Sequence, residues 1–461
     1  MQKLLKGLLV AAGILVALAA VGVLAINLYV QSAGTQKRIE HALSGALKVP
    51  VNVTSTIVTP WGGLKASGIT VDQTPPASGT FLEATSFTAH FDWMALFKHR
   101  LDASEVSLND PHVTWFQAAG GQWELPREAP QKAAEQAAPA PKPPGPPAPV
   151  WEIAVHKLLV NDASFDFWDN KGIRVAEFAG VQFNCANPNA AGTQGTASCK
   201  NVSLHDRFFF KDMETNWSFA LGKLKFSSFQ TSIAGGAIRG DAQVATQAKH
   251  SPFSADVKFD GVAVDQLLAE AGGPAAEVSG TLSGWLDIYG NTGKASSMNG
   301  SEHLELTGGR MQDIEILQML GQGLQIPDLV ELNLKAADLD ARVVSGVVNV
   351  DKLVLQSQNL EVTGTGSVDP GGRLRMDARL TVNGEITQRL PAFILTYFKE
   401  GETPDSRYID FQVGNTLSHP KTNLLENILG SRIQSQMTDL IKSIFTKKRP
   451  AESAEPSGPA P

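Results

Sequence analysis

The pattern of apolar and polar residues changes twice in the first part of the chain. From Gly7 to Val30 only Asn27 is strongly polar, and as a helix this run would span about 36 Å, more than the roughly 30 Å of a membrane's hydrocarbon core. After it, apolar residues recur at helical spacing as far as Pro50, and from Val51 the period falls to two. This order predicts a membrane-spanning helix, a short amphipathic helix and then β-strands.

Two interpretations of the N-terminus compete. Residues 17–19 (Ala-Leu-Ala) resemble a signal-peptide cleavage site, but the apolar run continues for about ten residues beyond them, which favours an uncleaved anchor. Lys3 and Lys6 closely precede the run, so the positive-inside rule favours a cytoplasmic N-terminus. We therefore predict a cytoplasmic stub and transmembrane anchor over residues 1–31 and export of the rest of the chain.

The strand pattern continues through most of the remaining chain. Short segments rich in Val, Ile, Thr and Phe are separated by Gly, Pro, Asn and Asp, and strands do not alternate with crossover helices. Helical spacing recurs only around Val264 to Ala271, around Asp313 to Leu324 and after Pro420. The sequence therefore predicts a mainly β protein, built as an elongated, curved antiparallel sheet with few covering helices.

One predicted strand shows the alternation clearly. In the segment RLRMDARLTV, Leu374, Met376 and Leu380 fall on one side, and the charged residues fall on the other. An apolar sheet face must be covered by a second sheet, by the same sheet curling on itself, or by a ligand with hydrocarbon tails. Together with Val257 and Phe259 on an earlier strand, these residues are the predicted lining of a lipid groove. Ordinary core packing is the competing interpretation for each of them.

Composition marks the segments that lie outside the predicted sheet. Residues 126–150 contain nine of the chain's 26 prolines, so they can neither pair as a central strand nor continue a helix, and we predict a disordered linker. This linker separates a region of helix and strands at 32–125 from a longer β region at 151–419. An amphipathic helix is predicted over 420–449 and a disordered tail over 450–461.

The predicted C-terminal helix carries an apolar stripe along its whole length. Lys447, Lys448 and Arg449 follow the stripe, where cations suit both the helix dipole and anionic lipid headgroups. Three interpretations compete: the helix caps the open end of the sheet, lies on a membrane surface, or docks a partner. The stripe consists of Leu425, Ile428, Leu429, Ile433, Met437, Leu440, Ile441, Ile444 and Phe445.

Composition and motifs exclude several classes of protein. Only 18% of residues are charged, which excludes a disordered polyelectrolyte, and the net charge of -7 argues against a nucleic-acid binder. No G-x-S-x-G, H-E-x-x-H or Walker motif occurs, and the glycine cluster at 364–369 lacks the third glycine of a nucleotide-binding loop, so we interpret it as structural. We predict no enzymatic activity, no metal and no cofactor. An exported glycosidase is the enzymatic alternative, because paired carboxylates cannot be recognised without a fold.

The two cysteines of the chain predict a disulfide. Cys185 and Cys199 flank the segment ANPNAAGTQGTAS, which resembles a loop between two strands, and an exported chain meets an oxidising compartment. Closing a loop of about 15 residues would stabilise the fold by roughly 3 kcal/mol in the chain-entropy model. Two unpaired buried thiols are the alternative.

The order of these segments resembles the AsmA family. Two stretches that follow the predicted anchor and three in the second half of the chain carry the resemblance through their order and spacing. They are 49–71, 86–126 with Gly121-Gln122-Trp123 near its end, 280–321, 346–380 and 409–430. The proline-rich insertion and the modest length of the chain depart from the family pattern.

The resemblance implies a single-pass inner-membrane protein whose periplasmic part is a long β-groove, related to the bridge-like lipid transfer proteins. Members of the family are linked to phospholipid movement toward the outer membrane of Gram-negative bacteria. We therefore expect a lipid-handling protein whose partners are membrane phospholipid and an outer-membrane or periplasmic protein. The competing hypothesis is a non-enzymatic periplasmic scaffold or assembly factor for outer-membrane biogenesis, with a closed and dry β-core.

Overall fold

The computed structural model describes several stretches of the chain. The predicted anchor at 1–31, most of the proline-rich segment and the apolar stripe from Leu425 to Phe445 lie outside the described residues. Within the residues that the structure does describe, no helix is long and apolar enough to cross a membrane. The described residues are 37, 44, 49–59, 63–73, 79–92, 95, 100–120, 123, 126, 152–188, 191–246, 250–273, 277–292, 294–417 and 419–424.

Strands dominate the described residues, which confirms the prediction of a mainly β fold with few helices. The strands are β1 (Val51–Thr59), β2 (Gly63–Asp72), β3 (Thr80–Phe91), β4 (Arg100–Phe116), β5 (Glu152–Val155), β6 (Lys157–Trp168), β7 (Arg174–Ala186), β8 (Gly192–Leu204), β9 (Phe208–Ala220), β10 (Lys223–Ile233), β11 (Gly236–Ala245), β12 (Pro252–Ala263), β13 (Val278–Asn291), β14 (Lys294–Gln312), β15 (Glu331–Asn333), β16 (Ala336–Val344), β17 (Val347–Gln356), β18 (Leu360–Val368), β19 (Arg373–Val382), β20 (Lys399–Glu400), β21 (Arg407–Thr416) and β22 (His419–Thr422). The helices are α1 (Val264–Glu270), α2 (Glu315–Leu324), α3 (Gly384–Arg389) and α4 (Ala392–Leu395), with a 3-10 helix at Pro327–Leu329.

The chain divides into two compact units. The first unit comprises Met1–Gly273 and Tyr289–Gly293, and the second comprises Pro274–Ile288 and Lys294–Pro461. The predicted β region at 151–419 therefore contains the boundary between them.

In the first unit, β1 to β4 pair in succession as antiparallel strands, and β6 to β12 do the same. β4 differs, because it pairs in parallel with both β5 and β6. Parallel neighbours need a long crossover connection, and the chain between β4 and β5 includes the proline-rich segment. The predicted antiparallel pairing therefore holds for the other strand pairs of this unit, and the two pairs that β4 forms with β5 and β6 are the exceptions.

In the second unit, β14, β16, β17, β18, β19 and β21 pair in that order as antiparallel strands. The chain leaves this sheet twice, once through α2 between β14 and β15 and once through α3 and α4 between β19 and β20. The shorter strands β15, β20 and β22 pair with β14 or β21. The two excursions supply the helices that cover one face of the sheet.

Two of the four helices that lie entirely within the described residues follow the sequence pattern. The periodic segments around residues 264–271 and 313–324 form α1 and α2, which confirms both predictions. Helices α3 and α4 are not predicted, because six and four residues are too few to show a helical period. A local signal does mark the start of α3: the side chain of Asn383 accepts a hydrogen bond from the backbone N–H of Ile386 at 3.1 Å.

Several strands of the first unit contain a residue with positive φ in their interior. Asp162, Gly180, Asp212 and Ser228 have φ of 53°, 70°, 50° and 53°, and the pairing register shifts close to each of them. Such bulges change which residues share a face, because the extra residue displaces the alternation by one position. A strict period of two therefore fails when it is extended along the whole of these strands.

Candidate functional site

The register of β7 to β12 places apolar side chains of neighbouring strands side by side. Trp217 of β9 lies opposite Phe226 of β10, which in turn lies opposite Ala242 of β11. Directly opposite residues share a face, so one apolar face crosses these strands; we call it the open face. Its apolar residues include Phe183, Trp217, Phe219, Leu224, Phe226, Phe229, Ile238, Ala242, Val244, Phe253, Ala255, Val257 and Phe259.

Most of the open face is half-buried rather than sealed. Phe226, Val257 and Phe259 are half-buried, and 38% of Phe219 is exposed. Among the described residues of the first unit, the one complete helix is α1, seven residues long, which contacts β9 and β12. A continuous face of accessible aromatic and aliphatic side chains is typical of a site that binds another apolar molecule.

Trp217 is the most deeply buried aromatic side chain of the open face. It is 8% exposed and stacks on Phe183, with ring centroids 4.8 Å apart and 14° between the planes. Its Nε1 is buried without a hydrogen-bond partner in the described part of the chain. Gly195 lies opposite Trp217, and a Cβ at that position would overlap with the carbonyl oxygen of Asn184. A glycine here therefore leaves room for the neighbouring backbone beneath the indole ring.

The other face of the same strands is polar. Asn161 donates from Nδ2 to Asn109 Oδ1 at 2.8 Å, and Gln230 donates from Nε2 to Glu214 Oε2 at 2.9 Å. A depression of about 490 Å³ on this face is lined mainly by uncharged polar side chains. The two faces thus differ in chemistry, as the alternation of strands requires, and only the open face offers a continuous apolar surface. The polar residues that line the depression are Asn161, Gln182, Asn184, Thr196, Ser198, Glu214, Thr215, Asn216, Ser228 and Gln230.

The apolar face of the second unit is covered over much of its area. Helices α2, α3 and α4 and the 3-10 helix pack on it, and together they form one hydrophobic cluster, which we call the capped core. Protein interiors of this kind leave little unfilled space. The most deeply buried members, each 2% exposed or less, are Leu324, Ile326, Leu329, Leu332, Leu380, Val382, Ile386, Ile394 and Leu424.

The structure divides the five predicted groove residues between the two units. Val257 and Phe259 lie two residues apart on the open face of β12, as the alternation predicts. Leu374, Met376 and Leu380 share one face of β19, which also agrees with the sequence. Leu374 is 7% exposed and Met376 is half-buried, whereas Leu380 is 1% exposed within the capped core. In this structure Leu380 is a core residue.

The glycine cluster that begins at residue 364 lies inside a strand. Gly364 and Gly366 belong to β18 and lie opposite Ala378 and Met376 of β19. A Cβ on Gly364 would come within 3.2 Å of Met376 Cε, and one on Gly366 would overlap with the carbonyl oxygen of Arg375. The glycines therefore make room for a methionine side chain and a closely approaching strand, so the structural interpretation is confirmed.

The structure corrects the predicted disulfide, because Cys185 and Cys199 are both free and buried. The segment between them is not a loop throughout: β8 begins at Gly192, so Cys199 lies well inside it. Cys185 lies opposite Gly195, and four residues of strand separate that position from Cys199, about 13 Å. A disulfide requires the two Cα atoms to lie within about 7 Å. Burial also raises the pKa of both thiols.

The charged side chains that the structure brings together form surface ion pairs. Arg379 donates to Asp410 at 2.7 Å, and Lys399 lies 3.2 Å from the same carboxylate. The hydrogen bond from Arg379 lowers the pKa of Asp410, and the Arg379 guanidinium stacks over Tyr408 with 4.0 Å to the ring centroid. Across the described ranges, no three His, Cys, Asp or Glu side chains lie close enough to hold a metal ion. The chemistry of the candidate site is therefore that of an apolar surface.

Most large side chains of the open face are missing from the sequence prediction, among them Trp217, Phe219 and Phe226. Trp217 and Phe219 alternate in β9, and Phe226 lies opposite Trp217 on β10. The signal that could have identified them is a large apolar residue at every second position in successive strands. The bulge at Ser228 hides this signal, because it displaces the alternation in the second half of β10.

Comparison with known proteins identifies one family. No curated protein and no solved structure is detectably similar to the chain. The model of the AsmA family matches residues 183–353, a stretch that begins at Phe183 and contains the whole open face as well as β13, β14 and β16. The resemblance drawn from the sequence is therefore confirmed over residues 183–353, which match the AsmA family.

Proposed function

We propose that this protein handles lipids and binds the acyl chains of phospholipids on the open face. The observation that carries the proposal is the accessibility of that face: Phe226, Val257 and Phe259 are half-buried, although they lie on an apolar surface that crosses several strands. Burial of apolar surface stabilises a complex by about 25 cal/mol per Å². Acyl chains on the open face would cover this surface, while their headgroups stay in water.

The family supplies the cellular setting of the proposal. Residues 1–31 would anchor the chain in the inner membrane, and the bulk of the chain would lie in the periplasm and conduct phospholipid toward the outer membrane. The protein would act without catalysis, cofactor or metal, and without nucleic acid. Its sequence contains no Walker motif, so transfer would be driven by a concentration difference or by an outer-membrane or periplasmic protein partner.

The experiment is to identify lipid bound to the intact chain. The full-length protein is purified in mild detergent and its organic extract is analysed by mass spectrometry. We expect phospholipid to co-purify in amounts comparable to the amount of protein. Trace lipid at the level of a detergent blank would contradict the proposal.

Two matched variants place the bound lipid on the open face. Val257→Asp puts a carboxylate on that face, whereas Ser254→Asp puts one on the polar face of the same strand, where it can still accept the hydrogen bond from Gln243. We expect Val257→Asp to reduce bound phospholipid about tenfold, because a carboxylate in contact with hydrocarbon loses its hydration. Ser254→Asp should retain the wild-type amount. Equal lipid content in the two variants would show that the open face is not the binding surface.

A scaffold for outer-membrane biogenesis is the second candidate function, and the capped core is the observation that favours it. A closed core offers stability without a surface for acyl chains, and a scaffold needs only exposed strand edges or helices for its partners. Under this hypothesis the purified chain would carry no stoichiometric phospholipid. The Val257→Asp and Ser254→Asp variants would then have the same phospholipid content.

A further inference from the structure

An ionisable side chain lies on the apolar face of the second unit. Glu302 of β14 shares its side of the strand with Leu304 and Leu306, two and four residues along. It lies opposite Ala341 of β16, which lies opposite Val350 of β17. Since directly opposite residues share a face, aliphatic side chains flank the Glu302 carboxylate along the strand and across it.

The Glu302 carboxylate has no partner among the described residues. Two other carboxylates on the neighbouring strands are paired: Asp340 bonds to His303 at 2.7 Å, and Asp351 bonds to Arg342 at 2.6 Å. Burial raises the pKa of Glu302, with no nearby cation to offset it. A half-buried carboxylate without a partner destabilises the structure around it, and a cation brought by a ligand would remove that cost.

Glu302 lies close to the rim of the apolar face. Gly300, two residues before it, is opposite Val343, and the chain reverses just beyond, at the turn of Ser345 and Gly346 between β16 and β17. In the other direction, Leu306 packs against the capped core. An extended ligand on this face would therefore place its polar end at the rim, beside Glu302, and its apolar part toward the leucines.

We propose that Glu302 binds the primary ammonium group of a lipid headgroup, while acyl chains of that lipid pack on Leu304, Leu339 and Leu353. These three leucines lie opposite one another on β14, β16 and β17. An ammonium group supplies both the missing charge and N–H donors, whereas a headgroup whose only charge is negative would repel the carboxylate. The inference rests on the proposed lipid-binding function and adds to it a second binding surface, in the second unit, with a headgroup preference.

The test compares the lipids that the full-length protein takes up from mixed vesicles. The vesicles contain equal amounts of phosphatidylethanolamine, phosphatidylcholine and phosphatidylglycerol with identical acyl chains, and the bound lipid is extracted and quantified by mass spectrometry. We expect the wild-type chain to be enriched in phosphatidylethanolamine. Glu302→Gln should lower the bound ratio of phosphatidylethanolamine to phosphatidylglycerol about tenfold, since a charged hydrogen bond is replaced by a neutral one.

The control is Glu305→Gln, an exposed position on the other side of β14, which should leave the ratio unchanged. Glu302→Leu provides a second test, because it removes both the charge and the hydrogen-bonding capacity of the side chain and should give the same loss of preference. Bound lipid with an unchanged ratio in both Glu302 variants would overturn the headgroup assignment but leave the proposed function intact. A wild-type chain that takes up no lipid from any vesicle would overturn both.

Discussion

The open face of the first unit and the capped core of the second are built from the same kind of strand. β12 and β19 both alternate apolar and polar residues, yet Val257 is half-buried on β12 and Leu380 is 1% exposed on β19. The connections make the difference. Tight turns such as Ala234–Gly235 join the strands of the first unit, whereas the chain of the second unit leaves its sheet to form α2, α3 and α4. Alternation therefore defines an apolar face, and the connections decide whether that face becomes core.

The largest expected effect is the difference in stability lost when a charged residue is placed on each of the two apolar faces. Leu380→Asp should lower the free energy of unfolding by about 4 kcal/mol or more, because the carboxylate cannot reach water in the capped core. Val257→Asp should cost less than about 1.5 kcal/mol, since its side chain can hydrate. Urea denaturation of the two full-length variants, followed by circular dichroism, measures the difference. Similar losses in both would mean that the open face is a sealed core.

A smaller effect concerns the close approach of strands beneath Trp217. Gly195→Ala should destabilise the first unit by about 2 kcal/mol, because its Cβ would overlap with the Asn184 carbonyl oxygen. Gly192→Ala on the same strand is the control: a Cβ there makes ordinary contact with Ala220 at 3.7 Å, so no loss is expected. Thermal unfolding measures both. An unchanged unfolding temperature in Gly195→Ala would show that β7 and β8 are farther apart than they are in this structure.

The unpaired carboxylate of the second unit predicts a pH effect of defined sign. The folded-state pKa of Glu302 is raised, so the wild-type chain has its full stability below the unfolded-state pKa and loses part of it as pH rises through the folded-state pKa. Without ligand, Glu302→Gln should therefore gain stability relative to wild type between pH 4 and pH 7. Thermal midpoints across this range measure the gain. If the thermal midpoint of Glu302→Gln instead fell relative to that of wild type as pH rises, a partner that stabilises the charged form of Glu302 would be indicated.

The smallest expected effect is the absence of any response to a reductant. Cys185 and Cys199 are free, so a reducing agent should not change the unfolding midpoint, and labelling of the denatured, unreduced chain should modify two thiols. In the native chain both thiols should react slowly, because burial raises their pKa and little thiolate forms. Fewer than two modified cysteines after denaturation would restore the predicted disulfide.

The fold could be predicted from the sequence where the local spacing of apolar residues determines the type of element and the side chains that share a face. The alternation of β12 and β19 and the periodicity of α1 and α2 are of this kind. The start of β8 is different: its residues, GTQGTAS, are small or polar, and they form a strand because β7 and β9 pair with them on both sides. For that reason the sequence alone predicts a loop between the cysteines, and with it the disulfide that the structure corrects.

The site shows the same limit. The sequence places Val257, Phe259, Met376 and Leu380 on apolar faces, and the structure agrees. It cannot tell that Leu380 is sealed, because the residues that seal it lie on short helices such as α3, which have too few residues to show a period. Exposure depends on contacts between distant segments, and the alternation within one strand carries no information about them.

The most direct test of the open face is photo-crosslinking at two adjacent residues of β10. Phe226→p-benzoylphenylalanine puts the reactive ketone on the open face, and Lys225→p-benzoylphenylalanine puts it on the polar face of the same strand. Irradiation of the full-length chain in membranes, followed by mass spectrometry of the peptides, should give phospholipid adducts at position 226 and none at position 225. Equal adducts at both positions, or crosslinks only to protein at position 226, would contradict the account.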